Sequence, residues 1–429
     1  MLKEEVRELR TLIEEQKVYY EFKIQNLQRR IDELSERGVD EVKKEVDLLR
    51  AEADAEIKED VPQSRALETT FQSGGLSLQA LNPEISITGD FIATCKSGDD
   101  VTEDFDFNFR GLGIHFESYL DPYSRIKAAV PVSSDGAELG EAYFTRYGVM
   151  EGLNLTLGKF RQQFGVVNRW HKHGLDWVDF PLPLRMIFGH GGLNQVGFSM
   201  QVNSGFAGSM QEYEIQITDG DNPFLFSSNE KNRPSVLFHL KNYFDVSAST
   251  YLEFGLTGMV GWNDTWLIAD GTSIEETRSV QAFSLDLTCL WEPTDRMRYR
   301  NIEWRTEAYF LNKNIIHPVT SARESLNPWG LYSSLQSKVT RTVDVGLRLD
   351  YYQTDDFDYA GDLLTTYPHA VQSEAHRWLT AVYATWHQSP FVKFRLEFDH
   401  EQGEAMGADE NRIMLQTVVA AGPHKHERY

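Results

Sequence analysis

Three observations predict an all-β transmembrane barrel of about sixteen antiparallel strands with an N-terminal α-helical coiled coil. Apolar and polar residues alternate over long stretches, short and long connections alternate between those stretches, and aromatic residues are plentiful, with Phe 25, Tyr 18 and Trp 9. The clearest strand is 391–400, FVKFRLEFDH, where Val392, Phe394, Leu396 and Phe398 share one face. Lys393, Arg395, Glu397 and Asp399 share the other, a period of two that only an extended chain sorts by face. Val343, Val345, Leu347, Leu349 and Tyr351 alternate in the same way with Asp344, Arg348 and Asp350. In 301–310, Ile302, Trp304, Ala308 and Phe310 oppose Asn301, Glu303, Arg305, Glu307 and Tyr309. A water-soluble sandwich also alternates, but these stretches are near or above the roughly 9–11 residues that a tilted membrane strand needs.

Taken in order, the candidate strands are 84–94, 105–120, 124–133, 140–149, 151–162, 192–203, 210–219, 234–243, 249–262, 278–292, 298–313, 328–340, 342–353, 376–389, 391–401 and 411–421. An even count suits closure of an up-and-down barrel. The short turns are DPYS, YGVM, NSGFAGS, FDVSAS, EPTDRM, TRT and QSP, and long polar loops such as 263–277, 314–327 and 354–375 stand between them. In outer-membrane barrels the short turns are periplasmic. Both ends of the barrel, 83–421, then lie on the periplasmic side.

Residues 1–59 differ in texture, being rich in Glu, Lys, Arg and Leu. Seam residues fall at Leu2, Val6, Leu9, Ile13, Gln16 and Tyr20, step by four to Ile24, and resume at Leu27, Ile31 and Leu34. This heptad with a stutter describes a periplasmic coiled coil, which requires partner helices. Gly38 interrupts the seam before Val39, Val42, Val46 and Leu49 continue it. Residues 60–82, with their Gly, Ser and Pro, read as a linker, and 422–429 as a short tail.

Composition excludes several classes. No run reaches the roughly 18 apolar residues of a membrane helix, which does not bear on strands. A net charge of −23 argues against a nucleic-acid partner, because phosphate binding needs clustered Lys and Arg. Cys95 and Cys289 are expected at opposite rims, out of disulfide reach. The opening MLKEEVREL holds no signal-peptide core, so an exported form is expected to be shown here without its leader. There is no GxSxG, HExxH or phosphate-binding glycine loop, and no enzyme is expected.

The stretch 162–192, QQFGVVNRWHKHGLDWVDFPLPLRMIFGHGG, has neither strand nor helix period. Long ordered loops of this kind are usually functional. It concentrates Arg169, His171, Lys172, His173, Asp176, Asp179, Arg185 and His190 among aromatics and prolines. His171 and His173 share a face in an extended chain and are candidate Zn²⁺ ligands, with Asp176, Asp179 or His190 to complete a site. Loop histidines hydrogen-bonded to their neighbours are the plainer reading, and the same holds for His424 and His426 in the tail. On the strands, the polar faces point into the lumen. Asp286, Glu303, Glu307, Asp344, Asp350, Glu397 and Asp399 stand there with Arg305, Arg348, Lys393 and Arg395, as a transverse field for small solutes or as cross-strand pairs.

Several motifs carry a family resemblance over residue 83 to the end. They are FRQQFGVVNRWHKHGLDWVDFPLPLR at 160–185, GLTGMVGWND at 255–264, LWEPTDRMRYRNIEWRTEAYFLNK at 290–313, SPFVKFRLEFDH at 389–400 and AAGPHKHERY at 420–429. With these the chain resembles outer-membrane porins of the phosphate-selective porin O and P class, and more closely a group labelled putative zinc-regulated outer-membrane receptors. The resemblance implies a bacterial outer-membrane porin in contact with lipid, passing small hydrophilic solutes or ions passively. Porins of this size commonly associate in threes, so a homotrimer through barrel and coiled coil is expected. In porins the third long loop, here 162–192, commonly folds inward as the pore constriction. Two alternatives stand beside this: a channel or receptor for a divalent metal such as zinc, and an envelope tether in which the coiled coil meets peptidoglycan or a periplasmic protein.

Overall fold

The computed structural model describes residues 83–98, 104–134, 136–206, 209–226, 233–293, 300–356, 370–371, 376–403 and 409–422. The expected coiled coil and linker, and the tail from 423 with His424 and His426, lie outside the described residues. Sixteen strands of nine residues or more form the wall. They are β1 (Glu84–Gly98), β2 (Asp104–Asp121), β3 (Ser124–Ser133), β4 (Glu141–Met150), β5 (Leu153–Arg161), β6 (Asn194–Phe206), β7 (Ser209–Thr218) and β8 (Ser235–Ser247). The second half is β9 (Thr250–Leu267), β10 (Ser273–Trp291), β11 (Asn301–Ile316), β12 (Trp329–Lys338), β13 (Val343–Gln353), β14 (His376–Ser389), β15 (Val392–Gly403) and β16 (Glu410–Ala421). Each pairs antiparallel with its sequence neighbour, and Ile87 opposite Ala421 begins the ladder that joins β1 to β16 and closes the ring.

The barrel is polar inside and apolar outside. On β13, Leu347 and Leu349 are 40% and 44% exposed, while Arg348 and Asp350 between them are 1% and 0%. A water-soluble sheet would bury the leucines; this inverted distribution is the one expected of a barrel wall set in lipid with packed matter inside it. Aromatic side chains ring the outer surface. At the long-loop end, Phe310, Trp329, Tyr351 and Trp378 make successive contacts of 6.3, 5.0 and 4.5 Å between ring centroids. At the short-turn end of β14, Trp386 stacks on Phe394 at 5.5 Å. Eight residues of strand separate Trp378 from Trp386, about 26 Å along the chain and roughly 20 Å after tilting, near the apolar height of an outer-membrane barrel.

Two expected loops are largely strand. β9 runs on to Leu267 and β10 begins at Ser273, so most of 263–277 is a hairpin arm. β11 continues to Ile316 and pairs with a short strand, Arg323–Leu326, inside the expected loop 314–327. The reason is a small core above the wall, where Trp266, Ile268, Ile315, Ile316 and Leu326 bury one another with Ile274 against them. Polar neighbours in the sequence hide these apolar residues from a reading by composition. Cys95 and Cys289 are both free.

Candidate functional site

The chain leaves β5 at Gln162 and rejoins the wall at Asn194, and almost everything between is buried. Asn168 closes the neck of this loop. Its amide nitrogen donates to the carbonyls of Gln162 and Leu193 at 2.8 and 3.0 Å, and its carbonyl accepts from Leu193 N–H at 2.8 Å. Two 3₁₀ turns, Val167–Arg169 and Lys172–Gly174, lead to α1, Leu182–Phe188. Pro181 and Pro183 start this helix, and Gly189, at φ +88°, ends it. Seven residues are too few to show a helical period, so the sequence showed none. Burial holds the loop together. Phe164 packs edge-on to Phe188 at 4.7 Å, and Trp177 meets Tyr332 of β12 at 5.7 Å. The same core takes in Leu237, Met259, Val280 and Ala282 from β8 to β10.

Charged side chains of the wall grip the loop backbone. Glu307 accepts from the N–H groups of Val166 and Val167 at 3.0 and 3.2 Å, Glu397 from Val178 at 2.8 Å, and Asp350 from Leu182 at 2.8 Å. Arg395 donates to the carbonyls of Leu175 and Trp177 at 2.6 and 2.7 Å, Arg348 to Asp179 at 3.0 Å, and Lys393 to His173 at 2.6 Å. Charge-assisted bonds of this type are the strong ones. Six of the eleven charges expected to line the lumen therefore point inward but are spent on the loop. Of the others, Arg305 pairs with Glu303 on the wall and with Asp176 of the loop at 3.6 Å, Asp344 pairs with His387 at 2.8 Å, and Asp399 with Arg412 at 3.4 Å. Asp286 is buried with neither carboxyl oxygen hydrogen-bonded.

The loop also presents a charged flank. A cavity of about 190 Å³ separates it from the inner faces of β1 to β5, lined by Asp90, Arg110, His115, Glu141, Arg161, His171, Lys172 and His173 among others. Asp179 is the hub of the cations, 3.3 Å from Lys172, 3.8 Å from Arg110 and 3.9 Å from Arg185. Burial opposes its ionisation, but Lys172, Arg185 and Arg110 outweigh burial and hold its carboxyl well below the usual carboxylate range. Arg110 also bridges to Asp90 at 2.9 Å.

Of the loop residues expected to act together, Lys172, Asp179 and Arg185 do converge. His171 sits 2.9 Å from Glu141, and Asp176 turns away to Arg305. Arg169 bonds to Gln163 at 2.9 Å, and His190 is exposed near the loop's exit. His115 of β2 completes an unexpected trio, its ring 5.1 Å from His171 and 5.4 Å from His173. Among the described residues, however, no three His, Cys, Asp or Glu side chains are arranged to hold a metal ion. Asp90, Arg110, His115, Glu141 and Arg161 escaped the sequence reading because each is one polar position on an ordinary alternating strand.

No family model matches the chain. An uncharacterized protein of Aquifex aeolicus (strain VF5) is 32% identical over 92 residues, which are 21% of this chain and 20% of that one. The chain thus matches about a fifth of that relative's length. Among solved structures, the outer membrane channel DcaP of Acinetobacter baumannii aligns with a TM-score of 0.53 at 11% identity, covering 79% of this chain and 97% of that one. Pseudomonas putida OprB aligns at 0.50 and 9% identity over 79% and 94%, and an anion-selective porin from Comamonas acidovorans at 0.50 and 7% over 79% and 100%. Closed sixteen-strand topology, inverted polarity and these likenesses define the class: a β-barrel with the outer-membrane porin fold. The narrower resemblance to phosphate-selective porins stays with the sequence motifs.

Proposed function

We propose that the chain is a passive channel of the bacterial outer membrane for small hydrophilic solutes and ions, with loop 162–193 as its constriction. One observation carries this reading. The loop is packed against the inner faces of β8 to β15, so the polar space beside it adjoins β1 to β5. Solutes cross between that wall and the loop flank. Local charge sets selectivity there: around the cavity and the Asp179 hub, the cations Arg110, Arg161, Lys172 and Arg185 outnumber the carboxylates Asp90, Glu141 and Asp179 by one. Small anions are favoured on this count, despite the chain's net charge of −23.

Planar-bilayer recordings in a KCl gradient test it. Wild type should give a reversal potential on the anion side, and Lys172→Glu should move it towards cations. A reversal potential that ignores Lys172 would sink the placement of the path. The expected homotrimer is checked by mass measurement in detergent, where monomer alone counts against it.

A further inference from the structure

Resting on that reading, we infer that Glu307 is the positioning residue that sets the channel's aperture, because its carboxylate locks the first turn of the constriction loop to the wall. Glu307 is fully buried on β11, and each of its oxygens takes two donors. Oε2 accepts from Val166 N–H at 3.0 Å and the Tyr309 hydroxyl at 2.8 Å. Oε1 accepts from Val167 N–H at 3.2 Å and the Tyr332 hydroxyl. Two consecutive backbone N–H groups on one anion form a nest. Here the anion belongs to the wall, so the loop's own backbone supplies the receptor for its anchor.

The loop is built to reach this carboxylate. Gly165 precedes the two donors at φ +64°, and a Cβ there would lie 2.1 Å from Glu307 Oε2. Only glycine combines that backbone with that approach. The lock also sits where it has most leverage. Val166 and Val167 lie just before Asn168, which closes the neck, so movement here is carried to the Lys172–Asp179 flank. The bonds from Asp350 and Glu397 grip the loop further along. At the first turn Gln216 and Thr257 also accept, from the N–H groups of Gln163 and Gly165 at 3.1 and 3.3 Å, but both are neutral, and Glu307 supplies the charged acceptor.

Glu307→Gln keeps the shape while removing the charge and half of the acceptor capacity. In the folded, detergent-solubilised barrel, amides of the segment 163–170 should exchange on the order of ten-fold faster than in wild type, the cost of losing charge-assisted bonds. In planar bilayers wild type should show a single quiet conductance level and Glu307→Gln a spread of levels with a larger mean. Tyr332→Phe, which spares both backbone bonds, should leave the conductance level intact. If Glu307→Gln fails to fold, as judged by heat-modifiable migration, Gly165→Ala strains the same contact from the loop side and should give the same exchange and conductance changes. Wild-type exchange and conductance in the variant that folds would overturn the inference. Lys172→Glu separates the two readings: altered selectivity there with a quiet Glu307→Gln channel removes only the lock. Faster exchange without any conductance change shows that the loop is held but does not bound the path, and overturns both.

Discussion

Two carboxylates stand side by side on neighbouring strands and have opposite fates. Glu307 is saturated by donors, whereas Asp286, its register partner on β10, is buried with no hydrogen bond. The Asp286 carboxyl lies against Gly255 on β9, where a Cβ would come within 2.1 Å of it. Burying a charged group without partners is costly, and a like charge alongside adds to the cost. Asp286→Asn should therefore stabilise the barrel by on the order of 1 kcal/mol, visible as a higher denaturant midpoint for loss of β-structure. A lower midpoint would show that Asp286 has a partner of its own in the folded barrel. Neither fate is legible in the sequence, where both residues are simply polar positions in an alternating strand.

At the scale of the element, the loop behaves as a folded unit with a core, a helix and an anchored backbone. Its ion cluster has a definite pH signature. Asp179 is held below its ordinary range, so its contribution is complete above the unfolded-state value near 4 and disappears only as pH falls through the depressed folded value. The loop's native packing should therefore persist from pH 8 to pH 5, and, on the proposed reading of the loop as a constriction, an acid-induced change in conductance should begin below about pH 4. In Asp179→Asn that acid-dependent step should be missing; a step that survives would place the titration elsewhere. The hairpin arms of β9 to β11 teach a related lesson. Their strands outrun the alternation because Trp266, Ile315 and Leu326 meet across the arms, a contact between residues far apart in the chain.

For the whole molecule, the decisive feature is the inverted distribution of polarity. Val382 lies on the outer surface of β14, midway between Trp378 and Trp386, and is 51% exposed. An arginine at the midplane of a lipid-facing surface costs about 2–4 kcal/mol, falling towards the interfaces. Val382→Arg should lower refolding stability in lipid vesicles by that amount, while arginine in place of Trp378 at the aromatic ring should cost about 1 kcal/mol or less. Equal effects at the two positions would argue against a membrane-embedded wall.

The alternation of FVKFRLEFDH and its companions determined by itself that this chain makes strands, how many, and which face each side chain occupies. A period of two is local information, and sixteen repetitions of it leave little but a closed barrel. It also marked the stretch after β5 as different, through its histidines, charges and prolines. What that stretch does was decided by tertiary structure. Inward-facing polar residues read alike whether they meet water, a solute or a loop, and only the closed ring brings Glu307, Asp350, Glu397, Arg348, Arg395 and Lys393 onto one backbone. The charges that the sequence offers to a solute are largely taken by the loop. Those left facing the cavity, Arg110, His115 and Glu141 among them, come from strands whose neighbourhood exists only once the barrel closes.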